Sequence, residues 1–225
     1  MKHRIRNLSE EQVIIDAYGC GGTGSHVLNG VARMSKALAD LGHPGIHVMA
    51  YDPDDVTHAN VGRQAFYETD VGYNKAKVLT DRINLYYRQR WAGNSHKAPS
   101  SGSRADIVIV CVDTKKSRKV ISKARFKKEA YVIDCGNEKT TGQVIMGQYK
   151  GGLPFPYEEN KALVTGKESK EPGCVDQYYR QDLFINSMVS TYALHLVWNL
   201  FRKAELDVRG VFMDIENGIT NPVKC

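Results

Sequence analysis

A glycine-rich loop between a predicted strand and a predicted helix constrains the fold of this chain most strongly. Residues 19–24 read Gly-Cys-Gly-Gly-Thr-Gly, follow an apolar, β-prone run at residues 13–18, and precede apolar residues at helical spacing. Glycines at this spacing permit a tight turn and let the backbone approach a phosphate, which the N-terminus of the next helix attracts. The loop therefore predicts a nucleotide-binding strand–loop–helix unit. Its candidate binding residues are Gly19, Gly21, Gly22 and Gly24.

A second strand, predicted at residues 46–51, completes a β-α-β unit and ends at Asp52, whose carboxylate can accept hydrogen bonds from ribose hydroxyls. The apolar run at 106–112 is typical of a parallel strand buried on both faces, and Asp113 lies at its carboxyl end. Another strand is predicted at 131–135, and helices are predicted at 74–90 and 182–203. These elements predict an α/β, Rossmann-like doubly wound fold, with a mostly parallel sheet and helices on both faces.

The remaining segments carry weaker signals. Residues 93–104 are predicted to be a surface loop, and the Gly-, Pro- and charge-rich residues 150–173 are predicted to be a crossover loop, at about 150–175. Residues 115–128 combine many Lys and Arg residues with an apolar side and predict a basic amphipathic helix. No internal repeat or domain boundary is evident, so residues 1–225 are expected to form a single domain.

Composition limits the classes to which the chain can belong. Of its 225 residues, 42% are hydrophobic and 25% are charged, as in soluble globular proteins. No stretch is apolar enough for a membrane helix, and the basic N-terminus lacks the apolar core of a secretory signal, so a cytoplasmic location is expected. The five cysteines form no Cys-x-x-Cys pair, which argues against a disulfide framework and against a thiolate zinc site.

Several short motifs follow the glycine loop. They are Asp52-x-Asp54, Asn60-x-x-Arg63-Gln64, Asp70-Val71-Gly72-x-x-Lys75, Cys111-x-Asp113 followed by Arg118, and Thr141-Gly142-Gln143-Val144. Together with the loop, they resemble the ThiF/MoeB/ubiquitin-activating enzyme superfamily (HesA/MoeB/ThiF). The sequences of residues 41–45, 59–66 and 182–186 further resemble the ThiF-related branch found in the PRTRC system, a bacterial cassette of ParB-related and ThiF-related proteins. The resemblance covers residues 13–148 and continues more weakly to residue 203.

This resemblance implies a ThiF-type adenylation domain that uses ATP and Mg²⁺. The implied substrate is the C-terminal carboxylate of a small ubiquitin-like protein ending in Gly-Gly, which would be activated as an acyl-adenylate with release of pyrophosphate. The implied roles are ribose binding for Asp52, phosphate contacts for Asn60, Arg63 and Lys75, magnesium binding for Asp113, and support from Asp54 and Gln64. Arg63, Lys75 and Asp113 are thus candidate catalytic residues, and a homodimer is expected by analogy with bacterial relatives.

Cys174 lies near the place where family members carry a cysteine that can accept the activated acyl group, so it is a further candidate catalytic residue.

Two features depart from the family pattern. The two Cys-x-x-Cys pairs of many bacterial members are absent, so no zinc site is predicted. Few residues precede the first strand, so Arg4 or Arg6 would have to replace the N-terminal arginine that reaches the ATP of a neighbouring subunit in many members.

Two other functions stay open at this point. The glycine loop also fits an NAD-dependent oxidoreductase, although no hydride-transfer site is recognisable. The second is a non-catalytic, nucleotide-binding scaffold of a plasmid DNA-maintenance cassette. Residues 115–128 could dock an acidic ubiquitin-like protein, contact nucleic acid, or form an ordinary solvated face. Phe126 is the only aromatic residue among them, so base stacking on single-stranded nucleic acid is not supported.

Overall fold

Apolar strands alternate with helices along the chain, and the computed structural model describes this arrangement for residues 2–166 and 181–225. The strands are β1 His3–Arg4, β2 Val13–Tyr18, β3 Ile46–Tyr51, β4 Ala92–Asn94, β5 Gly102–Ser103, β6 Ile107–Val110, β7 Arg125–Phe126, β8 Tyr131–Asn137, β9 Thr141–Gln148, β10 Glu205–Leu206, β11 Val208–Asp214 and β12 Ile219–Lys224. The helices are α1 Gly22–Asp40, α2 Lys75–Tyr87, α3 Lys115–Ile121, α4 Pro156–Glu159 and α5 Ile185–Arg202, with 3₁₀ turns at His58–Asn60, Glu68–Asp70 and Lys161–Leu163.

The central sheet has the strand order β12-β11-β9-β8-β6-β2-β3-β4. Strands β2, β3, β4, β6 and β8 run parallel, whereas β9, β11 and β12 add antiparallel pairs at one edge. The chain leaves β2 for β3 on one side and later returns to β6 on the other. The predicted α/β fold is confirmed, and the carboxyl ends of β2 and β6 form the switch point at which such folds bind ligands.

Both faces of the sheet are covered by helices. Strand β6 is fully buried, and its side chains alternate between two apolar layers, with Ile107 and Ile109 on one face and Val108 and Val110 on the other. Apolar side chains of α1, α2 and α5 complete the first layer, and those of α3 and α4 complete the second. Among the described residues, no helix has the length and apolar character needed to cross a bilayer.

The helix predicted at 115–128 is wrong in its second half. Helix α3 ends at Ile121, and residues 125 and 126 instead form β7, which pairs with β5. Phe126 is buried in the second apolar layer, where it packs against other aromatic rings. Gly102 has a φ of +109°, and its missing side chain lets β5 lie directly against the backbone of Arg125. Burial of Phe126 and this backbone pairing override the local helical pattern.

Several other predicted boundaries also shift. Helix α2 ends at Tyr87 because Arg88 adopts the left-handed conformation, with a φ of 53°. The predicted loop at 93–104 contains β5 and the end of β4, and the predicted irregular segment at 150–173 contains α4 and a 3₁₀ turn. The antiparallel hairpin of β11 and β12 was not predicted. Cys174 and the rest of the crossover loop lie outside the described residues.

The N-terminal segment runs along the amino end of the sheet. Strand β1 pairs with β10, and Arg6 Nη2 donates to Asp106 Oδ1 at 2.7 Å. Lys127 Nζ donates to the same carboxylate oxygen at 2.7 Å, and the pKa of Asp106 is lowered because these bonds and the Ile14 amide outweigh its desolvation by burial. Asp106 immediately precedes β6, so Arg6 is held at the edge of the sheet opposite the glycine loop of its own chain. An arginine that reaches a neighbouring subunit stays a prediction.

The close approach of β5 to β7 can be tested by comparing two glycines with similar backbones. A Cβ on Gly102 would collide with the Arg125 carbonyl, whereas a Cβ on Gly45, at φ +98°, meets nothing within 4 Å. Both alanine variants carry the strain of a positive φ, about 1–2 kcal/mol, but only Gly102→Ala adds a backbone clash. We therefore expect urea denaturation to show a lower free energy of unfolding for Gly102→Ala than for Gly45→Ala. Equal losses would contradict the packing described for β5 and β7.

Candidate nucleotide-binding site

The glycine loop is pressed against the end of β6 by a contact that only a glycine permits. Gly19 has a φ of +88°, and a Cβ at this position would lie 2.6 Å from the carbonyl oxygen of Cys111. A Cβ on Gly24 would collide with the carbonyl of Gly19, so the loop closes tightly on the first turn of α1. The early amide groups of a helix have no partner within it and carry the positive end of its dipole. The loop therefore presents an anion-binding helix terminus at the switch point of the sheet.

Asp52 ties the end of β3 to the glycine loop. Its carboxylate accepts hydrogen bonds from the amide of Cys20 at 2.6 Å and from the amide of Asp54 at 2.9 Å. The side chain is buried, and this burial raises the pKa of Asp52 above its usual value even though both amide bonds favour the charged form. The two amides bond different oxygens of the Asp52 carboxylate, so both oxygens retain acceptor capacity for a ligand hydroxyl.

Lys75 brings a largely buried positive charge to the same edge. It begins α2, and its Nζ lies 3.4 Å from Asp54 Oδ2, whose own side chain is mostly exposed. Asn74 caps this helix and donates through Nδ2 to the backbone carbonyls of Asp52 and Asp54 at 2.9 and 3.0 Å. The start of α2 is thus fixed to the turn after β3, and Lys75 has little freedom to move away from it.

The segment after β3 folds over the start of α1. The Ala65 amide donates to Ser25 Oγ at 3.1 Å, which anchors this segment to the helix. Asn60 is buried and caps its 3₁₀ turn, accepting a hydrogen bond from the Thr57 amide at 3.0 Å. The buried Gln64 places Oε1 beside Gly21, 3.9 Å from where a Cβ of that glycine would lie. Within the described part of the chain, this Oε1 has no hydrogen-bond partner.

Arg63 lies in the same segment and is also buried. Its Nη1 donates to Gln181 Oε1 at 2.7 Å, which places the guanidinium between this segment and the start of α5. Arg63 and Lys75 therefore supply two buried cations next to the terminus of α1. Such an arrangement suits a polyphosphate, because positive charge in a poorly solvated setting interacts strongly with phosphate oxygens.

Asp113 follows β6, and its exposed side chain stands at the same edge as the glycine loop. Its backbone is held by Arg118, which reaches from α3 to the Asp113 carbonyl at 3.5 Å and to the Cys135 carbonyl at 2.9 Å. Arg118 also donates through Nε to Asp134 Oδ2 at 3.0 Å. Burial lowers the pKa of Arg118, but the Asp134 carboxylate outweighs it and raises that pKa overall. Arg118 therefore stays charged and fixes the turn that carries Asp113.

Tyr157 of α4 completes this buried group. Its hydroxyl donates to Asp134 Oδ2 at 2.8 Å, and burial raises the pKa of Tyr157 well above its usual value, so the hydroxyl keeps its proton. Asp134 is completely buried and accepts from both Arg118 and Tyr157. The ion pair joins α3 to β8, and the Tyr157 hydrogen bond adds α4. The three elements thus meet beside the turn that carries Asp113.

Three polar residues without a local sequence signal also meet at the start of α1. Thr23 Oγ1 lies 3.3 Å from Asn137 Oδ1, at the end of β8, and 3.2 Å from Asn186 Oδ1, in the first turn of α5. A Cβ on Gly22 would collide with the Asn186 side chain, so this glycine is needed for packing between the two helices. Sequence reasoning missed these residues because isolated Thr and Asn residues at element ends are ordinary capping residues.

The structure thus brings most of the predicted site residues to one edge of the sheet. They are Gly19, Gly21, Gly22, Gly24, Asp52, Asp54, Asn60, Arg63, Gln64, Lys75 and Asp113. A carboxylate of the Asp113 type fits Mg²⁺, which usually takes one or two protein carboxylates together with phosphate oxygens and water.

Cys174 cannot be placed because it lies outside the described residues. Burial raises the pKa of the Cys20 thiol far above its usual value, which suits a packing role inside the loop.

Comparisons with known proteins match this architecture. The ThiF family matches residues 3–215. The crystal structure of selenomethionine PaaA has a TM-score of 0.65 at 16% identity, covering 95% of this chain and 64% of PaaA. E. coli MccB with ATP has a TM-score of 0.61 at 17% identity, covering 94% of this chain and 63% of MccB. The microcin C7 biosynthetic enzyme MccB in complex with N-formylated MccA has a TM-score of 0.63 at 18% identity, covering 94% and 64%.

The chain therefore spans less than two thirds of the length of these solved structures. At such identities the likeness establishes a shared fold. Among curated proteins, none matches the sequence significantly.

The buried ion pair predicts a large and specific loss of stability. Replacing Arg118 by Met leaves the fully buried Asp134 carboxylate without its cation, which typically costs about 3–5 kcal/mol. Lys119→Met removes an exposed charge from the same helix and should change the free energy of unfolding by less than about 0.5 kcal/mol. Chemical denaturation of both variants gives the comparison. A similar small loss in both would contradict a buried ion pair between Arg118 and Asp134.

Proposed function

The chain belongs to the ThiF family, and on that premise we propose that it is an ATP-dependent adenylyltransferase that activates the carboxylate of a peptide or small protein. One observation carries the proposal. Two buried cations, Arg63 and Lys75, accompany a glycine loop at the switch point of the sheet, and the helix after this loop has no side-chain N-cap and no acidic residue in its first turn. MccB, which has a similar fold, has been solved with ATP and with MccA. These neighbours support a nucleotide and a peptide-like partner for this chain as well.

In the proposed reaction, a carboxylate oxygen of the substrate attacks the α-phosphorus of ATP. The bond from that phosphorus to the oxygen bridging the β-phosphate breaks, and pyrophosphate leaves with the electron pair. Arg63 and Lys75 neutralise the charge that builds up on the phosphates, while Asp52 holds the ribose through its remaining acceptor capacity. When bound, Mg²⁺ neutralises phosphate charge, and Asp113 is the residue that would hold it. This chemistry needs alignment and charge stabilisation rather than a covalent enzyme intermediate.

The resemblance in the motifs extends the proposal to a particular partner and assembly. We propose a small ubiquitin-like protein ending in Gly-Gly as substrate, a homodimer as the working form, and Cys174 as an acceptor of the activated acyl group. A proton must leave the Cys174 thiol before its sulfur attacks the acyl carbon, and AMP then departs as a thioester forms. We also propose that the protein is cytoplasmic, that it belongs to the PRTRC branch and that it holds no structural zinc.

Thermal unfolding with different nucleotides tests the nucleotide-binding part. A ligand at 100 times its dissociation constant stabilises by about 2.7 kcal/mol, or roughly 5–10 °C for a chain of this size. We expect such a shift with MgATP, a smaller shift with ATP and a chelator, and none with NAD. A shift with NAD alone would favour an oxidoreductase and contradict the proposal.

Exchange of labelled pyrophosphate into ATP tests the chemical step. With a carboxylate substrate present, Asp113→Ala should reduce the exchange rate at least about a hundredfold, because magnesium loses its protein ligand. Asp81→Ala serves as a matched control, since Asp81 is an exposed carboxylate on α2, and it should exchange at the wild-type rate. Unchanged exchange in Asp113→Ala would show that Asp113 has another role.

The raised pKa of Asp52 predicts how nucleoside binding depends on pH. Adenosine is the suitable ligand because it carries no phosphate that titrates with the protein. Since burial raises the pKa of Asp52, its charged, hydrogen-bond-accepting form is lost at a higher pH than for an ordinary aspartate. Adenosine affinity should therefore weaken as the pH falls through this raised pKa, and calorimetric titrations should show a flatter profile for Asp52→Asn. Identical profiles would argue against a ribose contact.

A further inference from the structure

A row of polar side chains runs from Arg63 across the start of α1 and ends on the side-chain amide of Asn137. Arg63 Nη1 and Asn186 Nδ2 both donate to Gln181 Oε1, at 2.7 and 3.2 Å. Asn186 Oδ1 is 3.2 Å from Thr23 Oγ1, which is in turn 3.3 Å from Asn137 Oδ1. The row therefore links a proposed phosphate-binding residue to the end of β8 on the far side of α1.

The donor at the far end of this row is Nδ2 of Asn137. Asn137 Nδ2 is buried from solvent and has no hydrogen-bond partner among the described residues. On the other side of the glycine loop, Gln64 Oε1 is buried beside Gly21 and is likewise without a partner in the described ranges. A buried polar atom without a partner typically costs about 1–3 kcal/mol. Two such atoms on either side of the proposed phosphate site indicate groups that are completed by a ligand.

Gln64 and Asn137 have different neighbours. Arg63, which precedes Gln64 in the chain, and Lys75 are charged and suit the phosphates, whereas Asn137 contacts the neutral side chain of Thr23, which also contacts the neutral Asn186. A neutral donor can orient a carboxylate without cancelling the negative charge that makes it a nucleophile. A lysine or arginine at the same place would hold the carboxylate more tightly but would also weaken its attack.

We propose that Asn137 donates through Nδ2 to the substrate carboxylate and orients it toward the α-phosphorus, with Thr23 and Asn186 as positioning residues. This inference rests on the proposed adenylyltransferase function. The amide binds the carboxylate oxygen that does not attack, and the other oxygen forms the bond to phosphorus as pyrophosphate leaves. The oxygen bound to Asn137 becomes the carbonyl oxygen of the acyl-adenylate. No proton is transferred, so Asn137 serves the substrate and the product alike.

A pair of stable ligands tests this contact without the natural substrate. AMP carries only the nucleotide part, whereas a glycylglycyl-sulfamoyl adenosine replaces the reactive phosphate linkage and adds an acyl carbonyl at the same position. Isothermal titration of the wild-type chain should show at least about tenfold tighter binding of the acyl analogue than of AMP, the value of one good hydrogen bond. Asn137→Ala should lose most of this ratio and keep its affinity for AMP within about twofold.

Two further variants and a control separate contact from positioning. Asn137→Asp replaces the donor with an acceptor, so it should lower the ratio at least as far as Asn137→Ala does. Thr23→Val keeps the side-chain shape but removes the hydroxyl that holds Asn137, so it should lower the ratio partially. Asn221→Ala changes an asparagine on the exposed strand β12 and should leave both affinities as in the wild type. Because the readout is a ratio of two affinities of one sample, partial unfolding of a variant does not change it.

The outcomes distinguish this inference from the function on which it rests. If the wild type binds neither ATP nor AMP, the proposed function fails and this inference fails with it. If it binds both nucleotides but shows no preference for the acyl analogue, only the role of Asn137 is overturned. A preference that survives in Asn137→Ala and Asn137→Asp would also overturn it, and would place the acyl contact elsewhere.

Discussion

The contact between Gly19 and the Cys111 carbonyl is the constraint on which the rest of the site depends. A Cβ at position 19 would lie 2.6 Å from that oxygen. The loop after β2 can therefore pack against the end of β6 only if residue 19 is glycine. This contact aims the first turn of α1 along the carboxyl edge of the sheet. Asp52, from the neighbouring strand, then bonds the Cys20 amide and fixes the loop from its other side.

A second set of buried interactions places the residues around that loop. Arg118, Asp134 and Tyr157 join α3, β8 and α4 and hold the turn that carries Asp113. The ion pair is costly to bury, so its value lies in fixing geometry rather than in adding stability relative to an apolar core. The same edge therefore combines a rigid glycine loop, two buried cations and a carboxylate that faces solvent.

Much of this arrangement could be predicted from the sequence because its signals are local. Apolar runs and the glycine spacing predict β2, α1, β3 and β6 directly, and the topology of parallel sheets brings their carboxyl ends together. Helical periodicity at 115–128 failed because Phe126 is buried through contacts distant in sequence. Asn137 and Asn186 could not be found in this way, since the end of β8 and the start of α5 are far apart in sequence and meet at Thr23 only in the folded chain.

The carboxyl edge around the glycine loop is the proposed binding site of ATP. A crystal structure with Mg²⁺ and a non-hydrolysable ATP analogue tests it most directly. We expect the phosphates to accept hydrogen bonds from the first amides of α1, with Arg63 and Lys75 in contact and the ribose on Asp52. A nucleotide bound at any other surface, or one whose phosphates point away from the glycine loop, would contradict this binding site.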